Sequence, residues 1–164
     1  MATERMRLRD TDIGWPLEEM WVTGDLLGLA DALEAGSVVL VLDVPAEELP
    51  WLALHPAGEW VGDQLRLAKR PMRWCYRPLA WPVWNYEHRR LDHLSVVEPS
   101  IDDLADQLRE ELAVSRRHLR AVLDGYWDRD WRREHTGDES PEDHLWRAAT
   151  AVAEICDALD IIGG

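Results

Sequence analysis

The run Ser37-Val38-Val39-Leu40-Val41-Leu42-Asp43-Val44, bounded by Gly36 and Pro45, constrains the fold of this chain more than any other segment. A strand with one wet face alternates apolar and polar residues; a continuous β-branched and leucine run marks a strand buried on both faces. Such a strand needs partners at its edges and cover above and below, so it is expected at the centre of a sheet. The 164 residues allow one ordinary domain whose core needs no disulfide or structural metal.

Other segments supply the cover. Leu17 to Val22 is rich in large apolar groups and runs into Gly24, which reads as a short strand entering a turn. Asp25 then has the character of a helix N-cap. Leu26, Leu27, Leu29, Ala30 and Leu33 recur at helical spacing until Gly36, the residue type that tolerates a left-handed helix end. From Pro45 to Pro82 prolines and tryptophans alternate with arginines, and the pattern predicts a helix around 57–67, a strand near 72–76 and then irregular chain.

The C-terminal third carries an apolar stripe at three- and four-residue spacing, Leu104, Leu108, Leu112, Ser115, Leu119, Val122 and Tyr126, behind the cap signals Ser100 and Asp103. Ser140-Pro141-Glu142-Asp143 repeats the start signal before Leu145, Ala149, Val152, Cys156 and Leu159, and Gly163-Gly164 ends it. The expected class is α+β: a small mixed sheet with packed helices and a C-terminal antiparallel helix pair. Residues 1–98 would form the α/β part and residues 99–164 the helical hairpin of a single domain.

Charge narrows the partners. The net charge is −14, but it divides as −9 over residues 1–62, +4 over 63–93 and −9 over 94–164. The acidic total works against nucleic acid and anionic membrane as partners. No run approaches the roughly 18 apolar residues of a bilayer span, and the first residues lack the apolar core of a signal peptide, so a cytoplasmic protein is expected. Cys75 and Cys156 have no ligand or redox spacing and are expected as reduced, buried thiols.

No phosphate-cradling glycine loop, nucleophile elbow, zincin helix or zinc-spaced cysteine pair occurs, so no catalytic residue, metal ligand or cofactor is assigned. Asp10/Asp12 and Asp128/Asp130 have the spacing of an acidic pair, but a divalent cation needs several converging oxygens. His88 and His93 sit with Glu87 in a polar stretch read as a solvated loop. His118, His135 and His144 lie on or beside charged helices and are expected at the surface.

The unusual feature is aromatic. Ten tryptophans and three tyrosines stand beside no phenylalanine, and Trp51, Trp60, Trp74, Trp81 and Trp84 fall within one 34-residue stretch that overlaps the basic segment. Tryptophan fills cores, and it also anchors binding sites, where arginines can stack on it. The candidate ligand- or partner-binding set is Arg73, Trp74, Arg77, Trp81, Trp84, Asn85 and His88.

Three stretches carry a resemblance: Trp21-Val22-Thr23-Gly24-Asp25-Leu26-Leu27-Gly28, Val39-Leu40-Val41-Leu42-Asp43-Val44-Pro45, and Pro82-Val83-Trp84-Asn85. They resemble a family of uncharacterised actinobacterial proteins, a domain of unknown function, which implies no activity. The order strand, Gly24-Asp25, helix, strand also resembles the nucleotidyltransferase fold. That resemblance implies metal-binding aspartates on the second strand, where this chain has Val38 and Leu40; Gly24, Asp25 and Asp43 would be the remnants of a degenerate site. Aliphatic side chains cannot hold Mg²⁺ against phosphates.

The expected function is therefore a non-catalytic binding or regulatory protein that uses the Trp/Arg-rich segment to contact a ligand or protein partner. The alternatives are a divergent nucleotidyltransferase-like enzyme using Asp25 and Asp43, and a structural subunit or homo-oligomer joined through the C-terminal helices.

Overall fold

The run that dominates the sequence is strand β2 (Gly36–Leu42), with all seven residues buried. The computed structural model describes residues 16–23, 26, 34–81, 83–85, 90–93, 101–136 and 139–163; apart from Leu26, the helix expected from Asp25 to Leu33 lies outside them. β2 is central as predicted. β1 (Leu17–Thr23) pairs antiparallel along one edge and β3 (Met72–Pro78) parallel along the other, which makes the sheet mixed.

The period-two geometry of β2 divides its side chains between two apolar layers. Val38, Leu40 and Leu42 pack with Leu17, Leu49, Val61, Leu67 and Tyr76. Val39 and Val41 pack with Val83, Trp21 and Cys75 on the opposite face. Burying each such aliphatic side chain contributes about 1.5–3 kcal/mol, so this one strand anchors both layers.

Helix α1 (Pro56–Leu65) covers the first layer. Pro56 begins it where no backbone donor is required, and Nδ1 of His55 accepts the Ala57 N–H at 3.2 Å. It ends two residues earlier than the apolar pattern predicts because Arg66 adopts a left-handed conformation (φ 54°) and returns its N–H to the carbonyls of Asp63 and Gly62. A 3₁₀ turn, Leu67–Lys69, then leads to β3.

Gly58 and Gly62, one turn apart, let α1 approach β3 closely. A Cβ at Gly58 would lie 2.7 Å from the Tyr76 ring, and one at Gly62 would lie 3.2 Å from Nε1 of Trp74. Alanine at Gly58 raises helix propensity by about 1 kcal/mol, but it drives a methyl into a buried ring that has nowhere to move, at a cost of about 1–3 kcal/mol. Gly58→Ala is therefore expected to lower the urea midpoint; a raised midpoint would mean that the helix does not seat on Tyr76.

After β3 the sequence predicts irregular chain, whereas the structure has a short antiparallel ribbon of β4 (Trp84–Asn85) and β5 (Arg90–His93). Residues 1–49 and 54–98 form one compact unit; residues 50–53 and 99–164 form another.

The second unit is built from α2 (Ile101–Tyr126), α3 (Arg129–Glu134) and α4 (Pro141–Gly163). Leu104, Leu108, Leu112, Ser115 and Val122 of the predicted stripe are buried, as are Ala148, Ala151 and Ile155 of α4. Glu111, which interrupts the apolar reading, is also fully buried. The Tyr126 hydroxyl donates to Glu142 Oε1 at 3.0 Å, so the end of α2 meets the start of α4 and the packed pair is antiparallel. Ser140 and Asp143 form the predicted reciprocal cap: Asp143 N–H donates to Ser140 Oγ, and Ser140 N–H to Asp143 Oδ2. The segment Pro50–Ala53 belongs to this unit, and buried Trp51 donates its indole N–H to Glu154 of α4 at 2.6 Å.

Candidate functional site

Among its described residues the Trp/Arg-rich segment buries or half-buries its indoles and exposes most of its cations. Trp81 is buried, and the Arg77 guanidinium, itself fully buried, lies 5.3 Å from the centroid of the Trp81 ring. Trp74 is half-buried against the first apolar layer and donates its indole N–H to the Tyr76 hydroxyl at 3.1 Å. Trp60 packs on the same layer, whereas Trp51 belongs to the helical unit. Of the predicted set, the structure thus joins Arg77 to Trp81, sets Trp74 against the core and leaves Arg73 exposed. Trp84 and Asn85 form β4, with side chains outside the described residues, as is the whole of His88.

Arg66, Lys69 and Arg70 are exposed together with Arg73, so four cations gather within eight residues at the approach to β3. Arg66 takes the left-handed turn that ends α1, Lys69 and Arg70 end the 3₁₀ turn, and Arg73 follows on β3. Cation–π contact is worth more once desolvated, and this favours Arg77 on Trp81 as a packing element of the interior.

The positions that would carry nucleotidyltransferase carboxylates, Val38 and Leu40, are 4% and 0% exposed in the apolar layer. Asp43 is exposed just beyond β2, with its backbone N–H bound to the Pro16 carbonyl at 2.7 Å. Gly24 and Asp25 lie outside the described residues. Among the described residues no group of three or more His, Cys, Asp or Glu could hold a metal ion. Cys75 and Cys156 form no disulfide and are half-buried, more accessible than expected.

The helical unit holds an arrangement that the sequence did not suggest. His118, His135 and His144, expected at the surface, are all half-buried. Trp131 of α3 stacks on His135 with ring centroids 3.9 Å apart, and His135 meets His144 of α4 edge-on at 4.8 Å. Gly125 makes room for the indole, since a Cβ there would lie 2.7 Å from the Trp131 ring. The Trp131/His135 spacing of four is the only local signal; the approach of His144 is tertiary.

Burial, and then the neighbouring His144, lowers the pKa of His118. Burial, then His135, lowers that of His144; Arg147 adds to the lowering, while Glu139 and Asp143 oppose it. Both rings therefore favour the neutral form in the folded state. Unfolded histidine binds its proton near pH 6.5, so below that value the unfolded chain holds more protons and stability falls as the pH drops towards the lowered folded-state values. The denaturant midpoint of the helical unit is expected to decrease from pH 7.5 to 5.5, and to decrease less in His144→Gln. Equal slopes for the two proteins would remove the cluster as the cause.

Two indoles on this unit face solvent: Trp127 is 83% exposed and Trp146 66%. Neither belongs to the tryptophan cluster that stood out in the sequence.

Fold and surfaces together define an α+β protein with a two-faced buried strand and a packed helix pair whose second helix is capped by Ser140, the expected α2 cap Ser100 lying outside the described residues. The chain belongs to a family described as a domain of unknown function (DUF7711), whose model matches residues 1–91 and 87–161. No curated protein and no solved structure matches it. Among the described residues no helix is long and apolar enough to cross a membrane.

Proposed function

We propose that this is a non-catalytic binding or regulatory protein whose Trp/Arg-rich segment contacts an acidic surface of a protein partner through Arg66, Lys69, Arg70 and Arg73. The observation that carries the proposal is the exposure of these four cations, within eight residues of sequence, on a chain of net charge −14. Long-range repulsion from the rest of the chain opposes nucleic acid; a compact carboxylate patch engages the local positive field and sets orientation and on-rate. Trp74 and Tyr76 anchor β3 in the apolar layer, and an ordered base beneath Arg73 lowers the entropy lost on binding.

Calorimetric titration with polyglutamate tests this. Wild-type protein is expected to bind it in a salt-sensitive manner, and Lys69→Glu/Arg70→Glu to bind at least about tenfold more weakly, equivalent to roughly 1.4 kcal/mol. Equal binding by the two proteins would refute the role of the patch. A nucleotidyltransferase-like reading draws no support from Val38 and Leu40, which occupy the apolar layer.

A further inference from the structure

We infer that Trp127 and Trp146 form a docking surface on the helical unit for a basic, amphipathic helical segment of a partner protein. This surface is separate from the Arg66–Arg73 patch in residues and in charge. Trp127, just past the end of α2, packs edge-on against the Tyr126 ring with centroids 5.1 Å apart. Tyr126 donates to Glu142, and Trp146 follows Glu142 by one turn of α4. Arg132 joins the same group: its guanidinium lies 4.8 Å from the Tyr126 ring centroid and bonds Glu142 at 3.1 Å. Trp127 is thus tied through Tyr126 to Glu142, and Trp146 stands one helical turn beyond Glu142, so both indoles lie at the end of the helix pair where α2 finishes and α4 begins.

Tryptophan exposed to this degree leaves most of its ring unburied, and it offers the large rigid apolar area that dominates interface energetics. The kind of partner follows from charge. Residues 124–147 carry eight carboxylates against four arginines. Three of those arginines are already paired, Arg132 with Glu142, Arg133 with Asp130 and Arg147 with Glu139. The remaining field is negative and favours lysine or arginine side chains, which can also stack on the indole faces.

Size favours a helix over a second folded copy. Two indoles can bury about 300–500 Å² between them, whereas a stable interface between folded proteins needs about 800 Å² on each partner. One face of a short amphipathic helix matches the smaller area and presents its anchors at the spacing used in helix-in-groove recognition.

Two synthetic helical peptides of about 18 residues, long enough for five turns, serve as probes: one with a leucine face and lysines, the other with the same leucines and glutamates. By calorimetry, wild-type protein is expected to bind the Leu/Lys peptide and not the Leu/Glu peptide. Trp127→Ala/Trp146→Ala is expected to lose at least about tenfold in affinity for the Leu/Lys peptide while keeping its thermal midpoint. Lys69→Glu/Arg70→Glu is expected to bind this peptide as wild type does, so the two surfaces fail or succeed separately. The inference is overturned if the double Trp variant binds equally well, because charge alone then suffices, or if the Leu/Glu peptide binds as tightly. It is also overturned if light scattering shows a dimer that the double Trp variant abolishes, because a second copy then covers the face.

Discussion

Leu40→Asp is expected to abolish cooperative folding of the α/β unit at neutral pH. Leu40 is fully buried at the middle of β2, opposite Met20 of β1 and Tyr76 of β3, in a layer closed by Val61 and Leu67. An ionised carboxylate there has no cation to meet, and the cost of an unpaired buried charge reaches several kcal/mol. Total stabilities of domains are only about 5–15 kcal/mol. The introduced carboxyl would favour its neutral form, so its folded-state pKa would lie above the unfolded value. The penalty is then greatest at high pH and is relieved as pH falls through that raised pKa. Circular dichroism in urea across pH 4.5–8 reads both effects, and Leu40→Met, which conserves volume, should stay within about 1.5 kcal/mol of wild type. A Leu40→Asp protein as stable as wild type at pH 8 would show that the position is open to solvent, and a carboxylate site on β2 would again be tenable.

Trp51→Ala is expected to destabilise the helical unit by about 3–5 kcal/mol, the usual cost of removing a buried indole. Trp51 is 4% exposed, and its N–H···Oε2 bond to Glu154 spans 2.6 Å between positions 103 residues apart in the chain. Leu52, which follows it, has a left-handed backbone (φ 61°) that lets the short segment Pro50–Ala53 turn on the helices. Trp51→Phe keeps most of the apolar contact but deletes the donor. Its loss should be smaller, about 1.5–3 kcal/mol for a hydrogen bond to a charged group. Hydrogen exchange would separate the mechanisms, because amides of α2 and α4 should lose protection before those of β2. If Trp51→Ala unfolds within 1 kcal/mol of wild type, on the order of one ordinary hydrogen bond, the segment is not a structural clasp.

The elements that sequence reading located are those whose signal is local. β2 announced itself by an unbroken apolar run, α2 by its stripe from Leu104 to Val122, and α4 by Ser140, Pro141 and Asp143, all of which perform the capping roles that their chemistry predicts. The limit of α1 was misjudged by two residues because the pattern continues through Leu65 and Leu67, while the backbone turns left-handed at Arg66 between them. The β4–β5 ribbon was missed because two- and four-residue strands leave almost no periodicity to read.

The candidate site was legible in composition and not in geometry. Trp74 and Arg73 are neighbours with opposite fates, one packed over Gly62 and the other in solvent, because successive strand residues point to opposite faces. Sequence marks five clustered tryptophans as the contact surface; among the described residues the most exposed ones, Trp127 and Trp146, stand outside that cluster. The histidines show the same limit, since Trp131 on α3 and His135 at its C-cap are one turn apart but His144 reaches them only through the return of α4.

By itself the sequence determined an α+β fold with a two-faced central strand, an antiparallel helix pair with the second helix capped at Ser140, and a basic segment between acidic ones, because periodicity, caps and charge act within a few residues. Tertiary structure alone decided which polar and aromatic groups are enclosed. Arg77 over Trp81, Glu111 inside the helical unit and Trp51 on Glu154 owe their burial to surfaces brought together from distant parts of the chain. Burial depends on what packs against a side chain, and no local pattern encodes that.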